Sequence, residues 1–200
     1  MGIKKIDKSQ LIETAGNLFR TRGYCNTSMA DIAGACNINK ASLYHHFPSK
    51  KDLTVAVLKN LHDYFNQHFF VTVYQETVPA SERLTQFTQQ IEDFFLNRES
   101  GCLMANLTLE VGDSIPEFAL VLKAYFSDWI NAISHVLKHR YSQEQAKELA
   151  ADAVSQIQGA IMLSNLYGDY GPLKRQRLNL LALLSGDKTG QPGRTPAISL

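Results

Sequence analysis

Two hundred residues with 44% apolar side chains suffice for a sizeable buried core, and 20 basic against 19 acidic residues leave a net charge of only +1. No apolar run approaches the roughly 20 residues that span a bilayer, and Ile6 stands where an acylation site after Met1-Gly2 requires Ser or Thr, so no membrane partner is expected. Three cysteines, Cys25, Cys36 and Cys102, are an odd number without metal-type spacing, which argues against a disulfide framework and for a reducing cytoplasm without a leader segment.

Charge is unevenly spread. Residues 1–51 carry eight Lys/Arg against three acids, whereas the remainder carries twelve against sixteen. A basic end on an acidic body suits an electrostatic footprint for phosphates confined to that end. Asp7 and Gln10 make a cap-like start, and Leu11, Ala15 and Leu18, flanked by Ile12 and Phe19, form one helical stripe that Gly23 ends. Thr27 is placed to cap a second helix whose Met29, Ile32 and Ala33 face inward. The chain then reverses at Asn37, a residue that tolerates left-handed backbone, and Ile38 plugs the corner. Asn39 is the expected cap of a helix over Lys40–His46, with Leu43 and Phe47 inward and Lys40, Ala41, Tyr44 and His45 outward.

Ser49 and Asp52 start a long helix through Val55, Leu58, Leu61 and Phe65 toward Phe69. Pro79 breaks the pattern, and a helix resumes over Ser81–Asn97 with Leu84, Phe87, Ile91, Phe94 and Phe95 inward. After the connector Glu99-Ser100-Gly101 comes a shorter helix, Cys102–Val111, then a long one opened by Pro116 and running to about Tyr141. Ser142 begins the next, to Gly168, and a last helix spans Leu173–Leu184. Apolar residues recur at three and four, almost never at two, so the expected fold is all-α with about nine helices. The expected organisation is a three-helix helix-turn-helix domain over 1–50, a larger helical domain over 51–184, and a Gly/Pro/Ser-rich flexible tail over 185–200.

The run Thr27–Leu53, TSMADIAGACNINKASLYHHFPSKKDL, resembles the TetR/AcrR family of bacterial transcriptional regulators. Nearly every fixed position of T-x-x-x-[IL]-A-x-x-[AC]-G-[VI]-[SN]-x-[GA]-x-[LI]-Y-x-[HY]-F-x-[ST]-K-x-x-L is met; Asn37 replaces the turn glycine, and Ala41 the frequent recognition-helix glycine. The resemblance is strong over residues 7–55. It implies a double-stranded DNA operator as partner, with Tyr44, His45 and His46 as the aromatic-polar set against the duplex. Helix termini and side-chain chemistry add Thr27, Ser28 and Lys50 as backbone clamps and Asn39, Lys40 and Ala41 near the bases. The alternative for Tyr44 and His46 is that they merely cover Phe47.

The same resemblance implies a homodimer on an inverted repeat, joined through a four-helix bundle of the two long helices after Pro116. Ala146, Ala150, Ala153, Ile157, Ala160 and Ile161 are the expected interface, the alternative being that this stripe packs within the protomer. An inducer pocket for an apolar or aromatic small molecule is expected after residue 51, with Phe69, Phe87, Phe94, Phe95, Cys102, Met104, Tyr125, Trp129 and Met162 as candidate walls; plain core is the competing reading. Cys102, at a helix start that lowers a thiol's pKa, supports a second reading as an electrophile sensor or a helical thiol-dependent enzyme. Against the enzyme, no His or acid lies beside Cys102 in the sequence. His135 and His139 have zinc-pair spacing but no third ligand, so neither a metal nor another cofactor is expected.

Overall fold

The computed structural model describes residues 7–96, 100–112 and 114–185. Among them there are helices and no strand: α1 Lys8–Arg22, α2 Met29–Ala35, α3 Lys40–His46, α4 Lys50–Phe65, α5 Val71–Val73, α6 Ala80–Leu96, α7 Leu103–Val111, α8 Pro116–Leu137, α9 Gln143–Tyr167 and α10 Gly171–Ser185. A π-helical segment, Asn66–Phe70, joins α4 to α5 without a break in helical backbone. Counting that joined rod once gives nine helices among the described residues, as the periodicity predicts. Residues 186–200, nearly all of the expected flexible tail, and the Asn97 end of the sixth helix lie outside the described residues.

The caps explain where the helices start. Asn39 accepts a hydrogen bond from the Ser42 N–H at 2.7 Å, Ser49 from that of Asp52 at 3.1 Å, and Ser142 forms a reciprocal box with Gln145. Asn37 takes φ 53°, the left-handed turn its side chain tolerates. Two caps differ from expectation: Asp7 stands at the N-cap of α1, but its side chain makes no cap hydrogen bond and accepts instead from the Ser9 hydroxyl at 2.6 Å. Ser28, not Thr27, caps α2, because Asp31 three residues on closes a capping box; Thr27 is buried and its hydroxyl donates to the Gly23 carbonyl at 2.8 Å.

Helix α8 runs through the centre, packed by α4, α7 and α9, and buries Phe118, Tyr125, Trp129, Ile133 and Leu137. Aromatic rings make the junction with α4: Phe65 lies 5.1 Å from Tyr125, 6.0 Å from Trp129 and 4.9 Å from Phe94 between ring centroids. Helices α9 and α10 pack on each other at the outer side of the body. No helix of the described residues is long and apolar enough to cross a membrane.

Because Phe65 fills this crossing at 1% exposure, Phe65→Ala is expected to cost about 3–5 kcal/mol. Urea unfolding should show a lower midpoint with an unchanged slope.

Candidate nucleic-acid interface and ligand cavity

Seven residues make α3, and its two sides differ completely. Leu43 is fully buried and Phe47 nearly so, against the core that Leu11, Phe19, Ile32 and Leu53 supply. Asn39, Lys40, Ala41, Tyr44 and His45 are exposed, Tyr44 at 48%. His46 is half-buried, its ring 5.8 Å from that of His45. The structure therefore brings Lys40, Ala41, Tyr44 and His45 onto one outward edge, capped by Asn39, with His46 at its margin.

The three expected clamps behave differently. Thr27 is turned into the core. Ser28 is exposed, but its N–H donates to Asp31 Oδ2 at 2.8 Å and its hydroxyl to the same oxygen at 2.5 Å, so the cap already engages both groups. Lys50 points inward: its Nζ donates to the Tyr24 carbonyl at 2.9 Å and the Thr27 carbonyl at 3.0 Å, and lies 3.9 Å from the centre of the Tyr24 ring. Lys50 is thus an internal tie. Sequence spacing marks it as a helix-start cation but carries no sign of which way the stem runs.

A second tie comes from 85 residues away. The Glu110 carboxylate on α7 accepts from the backbone N–H of Tyr24 at 2.8 Å and of Cys25 at 2.7 Å. Gly23, at φ 84°, makes room for it, since a Cβ there would stand 3.1 Å from Glu110 Oε1. Tyr24 also packs edge-on against Phe118 of α8, with ring centroids 5.3 Å apart. An ion pair, Lys51–Glu117 at 2.6 Å, and a His62–Asp128 hydrogen bond at 2.7 Å join α4 to α8. The α1–α2 loop, the first turn of α4 and the body thus form one connected set.

A cavity of about 380 Å³ opens beside α4. Val57, Leu61, Tyr64 and Phe65 of α4, Phe94 and Phe95 of α6, the Gly101–Leu103 segment and Tyr125 form one side. Ser9, Ile12, Glu13, Gly16, Asn17 and Arg20 of α1 form the other, which the apolar pattern of α1 gave no reason to expect. Of the candidate walls, Phe94, Phe95, Cys102 and Tyr125 line the cavity. Phe69, Phe87, Met104 and Trp129 are packed core away from its lining, and Met162 is 60% exposed on α9. Cys102 also reverses its expectation: it is the N-cap residue of α7, but burial pushes its thiol up, against weaker lowering by the Ala105 and Met104 N–H groups. The same burial holds the Tyr125 hydroxyl well above the ordinary value of 10.0.

The small-residue stripe of α9 is internal. Ala146, Ala150, Ala153, Ile157, Ala160 and Ile161 are all buried within the single chain, so they pack α9 onto its own neighbours and are not available to a second copy. The opposite side of α9 exposes Met162, Leu163, Leu166 and Tyr167, and α10 exposes Leu178. His135 and His139 are separated by their partners, Glu76 at 2.8 Å and Arg83 at 2.9 Å respectively. No group of three His, Cys, Asp or Glu among the described residues is arranged to hold a metal ion.

The family model for bacterial regulatory proteins of the tetR family matches residues 11–57, and that for the C-terminal domain of LmrA/YxaF-like transcriptional regulators matches residues 63–177. The transcriptional repressor DhaR of Mycobacterium sp. strain GP1 is 24% identical over 172 residues, 83% of this chain and 86% of the relative. The biofilm operon negative regulator IcaR of Staphylococcus aureus is 46% identical over 59 residues, 30% of this chain and 32% of IcaR. A TetR transcriptional regulator from Legionella pneumophila has a crystal structure that superposes with a TM-score of 0.80 at 29% identity, over 90% of this chain and 97% of that one.

Burial acts to raise the Glu110 pKa, but the Cys25 and Tyr24 N–H groups, the Cys25 thiol and Lys50 outweigh it, leaving the carboxyl below its ordinary 4.5. A depressed folded value means the tie is fully present above 4.5 and lost as pH falls through the lower folded value. Amide exchange at Tyr24 and Cys25, corrected for intrinsic rates, should therefore accelerate in that acid window. Glu110→Gln should show fast exchange at neutral pH already.

Proposed function

The chain belongs to the tetR family of bacterial regulatory proteins and is a DNA-binding transcriptional regulator, and we propose that it is a repressor, binding an inverted-repeat operator as a homodimer and released by a small molecule. The observation that carries this reading is the outward edge of α3. Lys40, Ala41, Tyr44 and His45 stand clear of a core that holds Leu43 and Phe47. An exposed helical edge of this width fits the major groove, where Lys reaches a guanine edge or a phosphate and Ala meets a thymine methyl. DhaR and IcaR, named as a repressor and a negative regulator, support repression over activation.

One α3 reads only half a site. The copy needed for the other half would meet the exposed apolar side of α9 and α10, where Met162, Leu163, Leu166, Tyr167 and Leu178 otherwise face water. Two α3 helices would then sit about 34 Å apart, or a multiple of that. The geometry of α4 supports the reading of release by a ligand. Its first turn is tied to the loop before α2 by Lys50, and its far end carries Phe65 at the cavity wall. A ligand of apolar or aromatic character that shifts α4 at the cavity would thereby move α3 of the same protomer. The thiol-enzyme and electrophile-sensor readings lose the helix-start argument they rested on, because burial raises the Cys102 thiol instead of lowering it.

Retention of fragments of the source genome by the purified protein, followed by sequencing and anisotropy titration, tests this reading. Retained fragments should share a two-armed inverted repeat, and affinity should fall with salt by about 0.9 log unit per neutralised phosphate. Equal affinity for every duplex at every salt would overturn it. Tyr44→Ala should weaken the retained repeat by about ten- to a hundredfold while leaving the unfolding midpoint within error. Leu166→Asp should sediment as a monomer and lose two-armed binding; a dimer unaffected by this change would place the interface elsewhere.

A further inference from the structure

We propose that the cavity between α1 and α4 is the ligand site, and that its ligand is an aromatic monoanion whose carboxylate or equivalent acid group is held by Arg20. The inference rests on the ligand-response reading and adds the ligand's class and the point where it acts. The cavity has two unlike ends. Phe65, Phe94, Phe95, Leu103 and Tyr125 surround an apolar interior in which rings meet edge to face, Phe94 and Phe95 at 5.0 Å and Phe65 and Phe94 at 4.9 Å. Such walls favour a flat aromatic body. A volume of about 380 Å³ accepts a two-ring compound with one small substituent.

The α1 end is polar. Arg20 contributes one long hydrogen bond, from Nη2 to Asn17 Oδ1 at 3.4 Å, while its Nη1 is buried without a hydrogen-bond partner. A desolvated guanidinium nitrogen without an acceptor is costly, and an anion entering from the cavity would satisfy it with a charge-assisted bond. Glu13, the other charged group of the lining, lies two turns earlier on α1 and is exposed. It disfavours an acid group at that end of the cavity and so directs the head toward Arg20. At the interior, the Tyr125 hydroxyl is buried beside the Cys102 thiol, its polar neighbour at the far end of the ring system.

The position has a mechanical consequence. Gly16 brings α1 and α4 together beside the cavity, where a Cβ would lie 3.2 Å from Val57 Cγ1. A ligand seated between the two helices bears on the first helix of the DNA-reading unit directly, besides acting through the body. Its pressure falls on the crossing that sets how α1, and with it α2 and α3, lies on α4.

Three probes with one ring system separate the possibilities: 2-naphthoate, 2-naphthylmethanol and 2-naphthylmethylammonium. With the full-length protein, 2-naphthoate should raise the melting temperature and weaken binding to the retained repeat at least tenfold, the alcohol should do so more weakly, and the ammonium compound should have no effect. Arg20→Gln should remove the advantage of naphthoate over the alcohol but keep duplex affinity in the absence of probe, and Arg20→Lys should restore part of it. Equal action of all three probes, stronger action of the cation, no response to any at millimolar concentration, or an unchanged naphthoate response in Arg20→Gln would overturn the proposal. Duplex binding without probe reports separately on the repressor reading, so failure of one is distinguishable from failure of the other.

Discussion

The loop between α1 and α2 is held from three directions, and the usefulness of the proposed DNA-reading edge depends on that hold. Lys50 grips it from the first turn of α4 through two carbonyls and the Tyr24 ring, Glu110 from α7 through two amides, and Phe118 of α8 through ring packing. The charges are complementary in the simplest sense: an ammonium takes the carbonyls the loop exposes, and a carboxylate takes its N–H groups. Backbone groups that would otherwise need water are satisfied by side chains from the body. The loop's position is therefore a property of the whole protein.

Helices α2 and α3 need such support. Seven residues each is far below the length at which a helix persists alone, so tertiary packing and caps hold them. Leu43, Phe47 and Ile32 supply the packing, and Ser28 and Asn39 the caps. The outward residues contribute little to this and are left to interact with a partner. Stability and recognition are thus carried by opposite sides of one short helix. Helix α9 also has two unlike sides: alanines with Val154, Ile157 and Ile161 pack inward, while Met162, Leu163 and Leu166 are exposed.

How far the sequence reveals this follows from the range of each interaction. Caps act within three residues, so Asn39, Ser49 and Ser142 were legible, and the Ser28–Asp31 box was as visible as the Thr27 cap expected in its place. The all-helical fold and the inward register of Leu43 and Phe47 come from periodicity alone. Lys50 and Glu110 act across 23 to 86 residues, and no local pattern announces such a partner. The alanine stripe of α9 correctly signalled a close helix approach, but a stripe cannot say whether its neighbour belongs to the same chain. Met162, Leu163, Leu166 and Tyr167, large apolar residues left exposed on α9, are the signal on which the proposed outer interface rests. The contribution of α1 to the cavity was hidden because Ile12 reads as part of the core stripe, and Gly16 and Asn17 carry no apolar signal.

Hydrogen exchange read residue by residue, with and without a duplex that the protein selects, addresses the DNA-reading edge most directly. Protection should rise over Lys40–His46 and over the flanking Asn39 and Phe47 amides, with no gain on the outer side of α9 beyond that of the dimer itself. Protection centred on another helix, with α3 exchanging as fast as in the free protein, would contradict the assignment of α3 as the element that reads DNA.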